Sequence, residues 1–212
     1  MTERFAIYFA PQRDSALATR AEAWLAQPQL QALTGSARKY GFHATLKAPM
    51  ALKAGTDQHQ LAAALAAFAR NHAPVAMGRL EAGLIDGFLA LTPVAQPQEL
   101  IDFAAEVTTA FDDFRAPPGA EERARRLMAP LTDRQIELLD RYGYPYVFEQ
   151  FQLHMTLTDR LPPERRDELV SAARDWFAAE LALPIRLDRL VLFHEPEPGA
   201  AFCRLDDYVL ER

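Results

Sequence analysis

Two of the five histidines of this chain occur in the same four-residue pattern, His-x-Thr-Leu. The first copy is HATL at His43, and the second is HMTL at His154, about 110 residues later. An imidazole can accept or donate a proton near neutral pH. A threonine hydroxyl can donate a hydrogen bond to a phosphoryl oxygen. Together, the two copies could therefore supply an acid, a base and two phosphate ligands for in-line displacement at phosphorus.

Strand geometry decides which neighbours of each histidine share its face. We predict strands over residues 42–46 and 148–157, in which successive side chains alternate between faces. Each histidine then shares its face with the threonine two positions later, Thr45 or Thr156. The same alternation adds further polar residues to the two faces, namely Lys47 on the first and Gln152, Thr158 and Arg160 on the second.

Basic residues and an aromatic residue surround the first copy. All three lysines of the chain, Lys39, Lys47 and Lys53, lie close to His43. We expect Lys47 to offset the charge of a bound phosphate, because a cation stabilises the charge that develops on phosphoryl oxygens. Tyr40 is a candidate to stack on a base or a sugar, although packing at the rim of the core explains a tyrosine there equally well.

The order of predicted elements indicates an internal repeat. Each half of the chain reads as strand, helix, His-x-Thr-Leu strand, helix and strand. His43 precedes Pro74 by 31 residues, and His154 precedes Pro184 by 30. Matched spacings of this kind are typical of a duplication. We therefore predict an α+β fold with two lobes related by a pseudo-twofold axis, whose antiparallel sheets line a central cleft.

The predicted boundaries follow from this repeat. Residues 1–212 form a single bilobal domain, with one repeat at about 5–87 and the other at about 88–212. The second repeat is longer because of a charged helical insertion at 116–143, in which Thr132 and Gln135 form a capping box. Acidic and basic residues nearly balance in this insertion, so we interpret it as a solvated helix rather than a basic binding surface.

Whole-chain properties exclude several classes of function. The net charge is −6, which argues against binding to long nucleic acid but leaves room for a small phosphorylated substrate. No apolar run approaches the roughly 18 residues of a membrane span. The N-terminus lacks the features of a secretory signal, and a single cysteine, Cys203, fits a cytoplasmic protein. No metal-binding or Walker-type motif is present, so we predict neither a metal nor a cofactor. Nothing in the sequence indicates an oligomeric state.

The paired motifs resemble those of a known superfamily. H-x-[ST]-apolar motifs in two strand–helix repeats are typical of the two-histidine (2H) phosphoesterases, which include the 2′,3′-cyclic phosphodiesterases. The flanks, RKYGFHATLKAP and YGYPYVFEQFQLHMTLTDRL, are most similar to a bacterial branch described by its association with phosphonate metabolism. The resemblance implies that His43 and His154 act as general acid and base, with Thr45 and Thr156 as phosphate ligands.

These observations lead to one functional prediction and two alternatives. We predict a metal-independent phosphodiesterase that hydrolyses a cyclic phosphate on a small sugar or nucleotide. The first alternative is a non-catalytic module that uses the same cleft to bind a phosphorylated ligand or an RNA end. The second is a purely structural duplicated domain. The sequence leaves open which histidine is the acid and which is the base.

Overall fold

The computed structural model of the protein describes residues 3–212 and has an α+β architecture. The strands are β1 (Arg4–Phe9), β2 (Ala44–Met50), β3 (Val75–Ile85), β4 (Phe88–Pro93), β5 (Met155–Arg160), β6 (Pro184–Leu187), β7 (Arg189–Glu195) and β8 (Cys203–Val209). The α-helices are α1 (Ala16–Leu25), α2 (Gly35–Tyr40), α3 (Gln58–Arg70), α4 (Gln98–Ala110), α5 (Ala120–Arg126), α6 (Asp133–Tyr142), α7 (Arg166–Trp176) and α8 (Ala178–Leu181).

Two four-stranded antiparallel sheets form the frame of the molecule. Their strand orders are β2-β1-β7-β8 and β5-β4-β3-β6, so each sheet carries one of the two motif strands at an edge. The predicted α+β fold with antiparallel sheets is thus confirmed. Within the described chain, no helix has both the length and the apolar character required to cross a membrane.

The two sheets do not follow the predicted repeat boundary near residue 87. Strand β3 precedes that boundary but pairs with β4, and β7 from the second half pairs with β1. A two-residue turn explains the first exchange: Asp86 and Gly87 have φ values of 46° and 86°, and they join Ile85 directly to its partner Phe88. Asp-Gly with positive φ at both positions is a favoured hairpin turn. The predicted repeats therefore exchange their last strands, and neither folds as a separate sheet.

A continuous hydrophobic core connects the helices to both sheets. Trp24 of α1 is buried, and its ring lies 5.9 Å from that of Phe177 and 6.1 Å from that of Trp176. Its indole Nε1 donates a hydrogen bond of 3.2 Å to the carbonyl of Leu157 in β5. Each aromatic pair adds about 0.5–1.5 kcal/mol beyond the burial of area. Helix α1 from the first half of the chain is thus hydrogen-bonded through Trp24 to the motif strand of the second half.

Both motif strands begin one residue after their histidines, two residues later than predicted for the first strand and seven later for the second. Residues 148–150 form a 3-10 turn, and β5 begins only at Met155. Gln96 explains the difference, because its side-chain amide donates to the Phe151 carbonyl at 2.9 Å and its oxygen accepts from the Leu153 amide at 2.7 Å. The backbone before β5 is therefore satisfied by a side chain instead of a neighbouring strand.

The charged insertion forms two short helices, α5 and α6. The predicted capping box at the start of α6 is confirmed, since the Thr132 hydroxyl accepts from the Gln135 amide at 3.2 Å and the Gln135 side chain accepts from the Thr132 amide at 3.0 Å. Gly143 ends the helix in the left-handed region at φ 74°. Such caps stabilise the ends of a helix whose outer face has few apolar contacts.

Candidate active site

Both His-x-Thr copies open onto one cavity of about 840 Å³. Four of its lining residues are the histidines and threonines of the two motifs, contributed by the strands β2 and β5 and the residues just before them. The remaining lining residues are Arg4, Tyr8, Lys39, Tyr40, Ala48, Pro49, Ala51, Glu121, Glu122, Arg125, Arg126, Tyr144, Pro198 and Gly199. A cavity of this size can hold a nucleotide or a phosphorylated sugar.

The His43 ring is fixed by a carbonyl and by an aromatic ring. Its Nδ1 lies 2.9 Å from the Gly41 carbonyl oxygen, so the neutral ring carries its proton on Nδ1 and leaves Nε2 as an acceptor. Nε2 lies 3.4 Å from the Thr45 hydroxyl. The Tyr8 ring stacks on the imidazole at a centroid distance of 3.8 Å. Gly41 has φ 73° and ψ 172°, a conformation that favours glycine and directs this carbonyl to the ring.

The His154 ring is anchored in the equivalent way. Its Nδ1 lies 2.8 Å from the Gln152 carbonyl oxygen, two residues earlier, as Gly41 is two residues before His43. The Phe88 ring is 5.6 Å from the imidazole. In both copies, therefore, the chain directly before the motif strand holds Nδ1 and leaves Nε2 as the nitrogen without a backbone partner.

Burial controls the protonation of both histidines. Loss of solvent lowers the pKa of His43 to about 4, against the raising effect of the Gly41 carbonyl, and the charge of His154 lowers it further. Burial also lowers the pKa of His154, where the Gln152 carbonyl and the charge of Asp86 oppose the shift. Both rings are consequently neutral at pH 7 in the empty cavity.

The alternation of faces holds over the core of each motif. Phe42, Ala44 and Leu46 are buried in the hydrophobic core, while His43 and Thr45 are partly exposed to the cavity. The second copy shows the same alternation, with buried residues at positions 153, 155 and 157 and partly exposed ones at 154 and 156. The structure therefore brings the four motif side chains together in one cavity, as the duplicated pattern predicted.

Lys47 does not line the cavity, contrary to the expectation from strand alternation. Its ammonium donates to the Thr108 carbonyl at 2.8 Å and to Asp112 at 2.6 Å, and its side chain is 3% exposed. The cause is a register irregularity: Thr45 pairs with Tyr8, but Lys47 pairs with the adjacent Ile7. Two residues of β2 opposite one of β1 form a bulge, which turns Lys47 to the core face.

Three further candidates from the second strand also lie away from the cavity. Thr158 is fully buried, and its hydroxyl accepts from the Leu89 amide at 3.0 Å, where the pairing of β4 with β5 is irregular. Gln152 and Arg160 are exposed and do not line the cavity. Gln152 contributes its backbone carbonyl to His154 instead of its side chain. Tyr40, in contrast, does line the cavity, with its ring 6.3 Å from that of His43.

Several lining residues come from segments that the sequence did not indicate. Helix α5 contributes Glu121, Glu122, Arg125 and Arg126, so one face of the insertion lines the cavity. The helix has no buried residue, as the interpretation of a solvated helix requires, but that interpretation did not include a place beside the cavity. Burial raises the pKa of the neighbouring Tyr144 to about 12, against the effect of the Arg126 charge, so its hydroxyl stays protonated. A charged helix has the same kind of sequence whether it borders bulk water or a cleft, so the sequence of α5 did not indicate that it lines the cavity.

Cations in the cavity share their acidic partners. The Arg4 guanidinium and the Lys39 ammonium both pair with Glu195, the lysine at 3.7 Å. Arg125 and Arg126 both approach Glu122, at 3.9 and 3.1 Å. Among residues 3–212, no group of three or more histidine, cysteine, aspartate or glutamate side chains is placed to hold a metal ion.

The family model described as "Protein of unknown function (DUF1045)" matches residues 45–203 of this chain, about three quarters of its length. The chain belongs to the DUF1045 family. The matched region includes Thr45 and the whole second motif, and it begins two residues after His43.

Curated relatives of this DUF1045 chain carry the name ribose 1,5-bisphosphate phosphokinase PhnN. The protein of Janthinobacterium sp. (strain Marseille) is 37% identical over 221 residues, which cover 94% of this chain and 49% of the relative. That of Laribacter hongkongensis (strain HLHK9) is 35% identical over 220 residues, covering 95% of this chain and 51% of the relative. The chain thus spans about half the length of the curated relatives it matches.

Solved structures show the same fold over nearly the whole chain. E. coli LigT, crystallised with NADP+, aligns with a TM-score of 0.50 and 15% identity over 100% of this chain and 99% of LigT. TT0787 of Thermus thermophilus aligns with a TM-score of 0.51 and 15% identity over 98% and 97% of the two chains. The resemblance to the 2H phosphoesterases that the motifs predicted is therefore confirmed at the level of the fold.

Proposed function

We propose that this protein is a metal-independent phosphodiesterase that hydrolyses a cyclic phosphate on a small sugar or nucleotide. The observation that carries the proposal is the meeting of two equivalent His-Thr pairs in one cavity, each imidazole held through Nδ1 by a backbone carbonyl. Two prearranged nitrogens of this kind suit a reaction that needs a base on one side of phosphorus and an acid on the other.

The reaction balances with water as the only co-substrate. One histidine accepts a proton from water, whose oxygen forms a new bond to phosphorus. The bond from phosphorus to one sugar oxygen breaks, and that oxygen takes a proton from the other histidine. The Thr45 and Thr156 hydroxyls donate hydrogen bonds to the non-bridging oxygens, where negative charge increases in the transition state. The product is a phosphomonoester on the opened sugar.

The environments of the two histidines support an assignment of roles. We assign His43 as the base, because a group with a pKa of about 4 is unprotonated over the whole neutral range. We assign His154 as the acid, because the charge of Asp86 opposes the lowering of its pKa by burial, whereas the charge of His154 lowers the pKa of His43 beyond the effect of burial. A phosphate anion bound beside His154 raises its pKa from this lowered value, since an opposite charge stabilises the imidazolium.

Similarity of this chain to known proteins is the argument for its substrate class. The flanks of both motifs are similar to the branch associated with phosphonate metabolism, and the curated relatives are named for a phosphokinase of ribose 1,5-bisphosphate. We therefore propose a ribose cyclic phosphate of phosphonate metabolism as the substrate. The sequence of this chain contains no Walker-type loop, so we assign no phosphokinase activity to it.

Turnover in the presence of EDTA tests the proposal. Wild-type protein is compared with His43→Ala and His154→Ala on 2′,3′-cyclic nucleotides and on ribose cyclic phosphates. The matched control is His59→Ala, since His59 is exposed and lies outside the cavity. We expect each motif variant to lose at least about 100-fold in kcat/KM, the usual contribution of a positioned acid or base. In water labelled with oxygen-18, the product phosphate gains one heavy oxygen.

Equal activity in all four proteins would refute the proposal. The alternative of a non-catalytic binding module predicts a different result, in which the cyclic phosphate is retained with the protein and recovered unchanged by mass spectrometry. In that case the motif variants would lose binding without any hydrolysis having been present.

A further inference from the structure

Tyr8 of β1 is a buried residue of the cavity wall whose hydroxyl has no partner in the protein. The residue is 1% exposed and belongs to the cavity lining. Its Oη makes no hydrogen bond within residues 3–212, yet it is not one of the three fully buried atoms there that lack a partner, namely Gln27 Nε2, Arg126 Nε and Glu180 Oε2. The hydroxyl is therefore the part of Tyr8 that reaches the cavity, where a ligand atom can become its partner.

Aromatic rings hold the Tyr8 side chain in place. The His43 imidazole stacks on the Tyr8 ring, with 3.8 Å between centroids and 21° between planes. The rings of Phe193 and Phe202 lie 5.0 and 6.3 Å from it. Contacts on several sides leave the ring little freedom to turn. The hydroxyl is consequently positioned before a ligand binds, which is the condition under which a hydrogen-bond donor contributes most to catalysis.

Strand pairing places Tyr8 beside the first motif. Tyr8 in β1 lies directly opposite Thr45 in β2. Residues paired in this way share a face of the sheet, with Cβ atoms about 4.5–5.5 Å apart. Tyr8 therefore adjoins both the hydroxyl that we assign to the phosphate, on Thr45, and the imidazole that we assign as the base, on His43. A single phosphate bound by Thr45 is within reach of such a neighbour.

The reacting phosphate can accept more hydrogen bonds than the motifs donate. Each threonine hydroxyl has one proton to donate, whereas each non-bridging oxygen has several lone pairs. Lys47, which the sequence suggested as a further phosphate ligand, is bound to Asp112 on the core face. Negative charge on the non-bridging oxygens increases in the transition state, so an additional fixed donor there would accelerate the reaction.

Tyr8 keeps its proton and is therefore available as a donor. Burial raises the pKa of the Tyr8 hydroxyl well above its ordinary value, and the neighbouring Tyr40 and Tyr144 raise it further, against the charge of Arg4. A hydroxyl that stays protonated over the neutral range does not compete with His43 for the role of base.

We propose that the Tyr8 hydroxyl donates a hydrogen bond to the non-bridging phosphoryl oxygen that Thr45 binds, as a third catalytic donor outside the two motifs. The inference rests on the proposed function for its effect on rate, but not for its effect on phosphate binding. Tyr8 retains its proton throughout and forms no covalent bond. Its ring supports the His43 imidazole while its hydroxyl binds the phosphate, so one rigid side chain sets the distance between base and phosphorus.

Tyr8→Phe tests the hydroxyl, because it keeps the ring that stacks on His43. We expect kcat/KM for a 2′,3′-cyclic nucleotide to fall by about 10- to 100-fold, the effect of one hydrogen bond to a charged group. The matched control is Tyr146→Phe, since Tyr146 is 39% exposed and lies outside the cavity lining. The control should stay within about twofold of wild type, as surface substitutions usually do. A Tyr8→Phe variant as active as the control would overturn the proposal.

Sulfur substitution in the substrate shows whether the hydroxyl acts on the phosphate. In each diastereomer of a nucleoside 2′,3′-cyclic phosphorothioate, one non-bridging oxygen is replaced by sulfur, a weak acceptor. Wild type should hydrolyse one diastereomer more slowly than the other. Tyr8→Phe should reduce this selectivity by about tenfold, because the lost donor and the lost acceptor belong to one interaction and their effects are not additive. A slow Tyr8→Phe variant with the wild-type selectivity would mean that Tyr8 only positions His43, and the proposal would fall.

Binding distinguishes failure of this inference from failure of the proposed reaction. Calorimetry measures the affinity of adenosine 2′-monophosphate for wild type, Tyr8→Phe and Tyr146→Phe, and melting temperatures identify any variant that does not fold. If no cyclic phosphate is hydrolysed but the nucleotide binds about tenfold more weakly to Tyr8→Phe alone, the contact of Tyr8 with phosphate stands and the hydrolase falls. Equal binding by all three proteins without hydrolysis would overturn both.

Discussion

The carbonyl of Gly41 orients the His43 ring. Replacing Gly41 by alanine keeps the imidazole but perturbs this carbonyl, so the variant tests how much the orientation of the ring contributes to activity. With φ 73° and ψ 172°, Gly41 lies in a region that is essentially restricted to glycine. A methyl group there would meet only the Phe193 ring, at 3.8 Å, so the strain comes from the backbone and not from a clash. Holding alanine in this conformation costs about 1–3 kcal/mol. The chain either bears that cost or turns the peptide and withdraws the carbonyl from Nδ1.

The two consequences predict measurable losses of stability and of activity. In a domain of this size, 1 kcal/mol corresponds to a change of roughly 2–4 °C in Tm, so Gly41→Ala is expected to lower Tm by roughly 2–12 °C. If the peptide turns, His43 loses its anchor, and a displacement of about 1 Å is enough to reduce kcat/KM by roughly 100-fold. The assays are thermal unfolding followed by circular dichroism and steady-state hydrolysis of a cyclic phosphate.

Gly55→Ala is the matched control for strain. Gly55 also has a positive φ, 85°, and a methyl group there meets nothing within 4 Å, but the residue is exposed and outside the cavity. We expect this variant to lose stability without a comparable loss of kcat/KM. If Gly41→Ala kept its Tm within roughly 2 °C of wild type, so that the peptide had turned without strain, and still retained kcat/KM within about twofold of Gly55→Ala, the carbonyl anchor would not matter for the reaction, and the reasoning would be refuted.

Three further predictions concern protonation, phosphate binding and the buried lysine. The pH profile of kcat/KM should be bell-shaped with its maximum below pH 6.5. Activity should rise as the base His43 deprotonates near pH 4, and it should fall as the acid His154, whose pKa is lowered from its ordinary value, deprotonates. A flat profile from pH 5 to 9 would contradict this. Thr45→Val and Thr156→Val should each lower kcat by about 100- to 1,000-fold, while the serine variants keep most activity; loss of KM alone would argue against transition-state binding. Lys47→Met should lower the free energy of unfolding by about 1–3 kcal/mol in denaturant titrations and leave kcat/KM within about threefold, since the lysine donates hydrogen bonds to Thr108 and Asp112. A large loss of kcat/KM at unchanged stability would restore its predicted role in binding phosphate.

Local patterns in the sequence were sufficient to predict the central part of the site. The twofold period of a strand places His43 with Thr45 and His154 with Thr156 on one face each, because successive side chains point in opposite directions whatever the rest of the fold. Likewise the capping box at Thr132 depends only on residues three positions apart. These features are decided within a few residues, and the α+β class follows from the alternation of such segments.

Pairing with neighbouring strands determined the side-chain positions that the alternation of the sequence did not predict. A bulge opposite Tyr8 and Ile7 turns Lys47 to the core, and an irregular pairing with β4 buries Thr158. A bulge depends on the register between two segments that are distant in sequence, so neither strand alone contains the information. The hairpin at Asp86-Gly87, in contrast, has a sequence signature, and it moves β3 into the sheet of the second half.

The duplicated motif by itself established that the chain carries two equivalent His-Thr pairs at the starts of strands, and thereby the 2H phosphoesterase resemblance. Only the tertiary structure decided that α5 lines the cavity, that its cationic lining residues are Arg4, Lys39, Arg125 and Arg126 and do not include Lys47, and that both imidazoles are held by backbone carbonyls. The physical reason is range: alternation and capping act between neighbours along the chain, whereas cavity walls, burial and shared ion pairs arise where distant segments pack together.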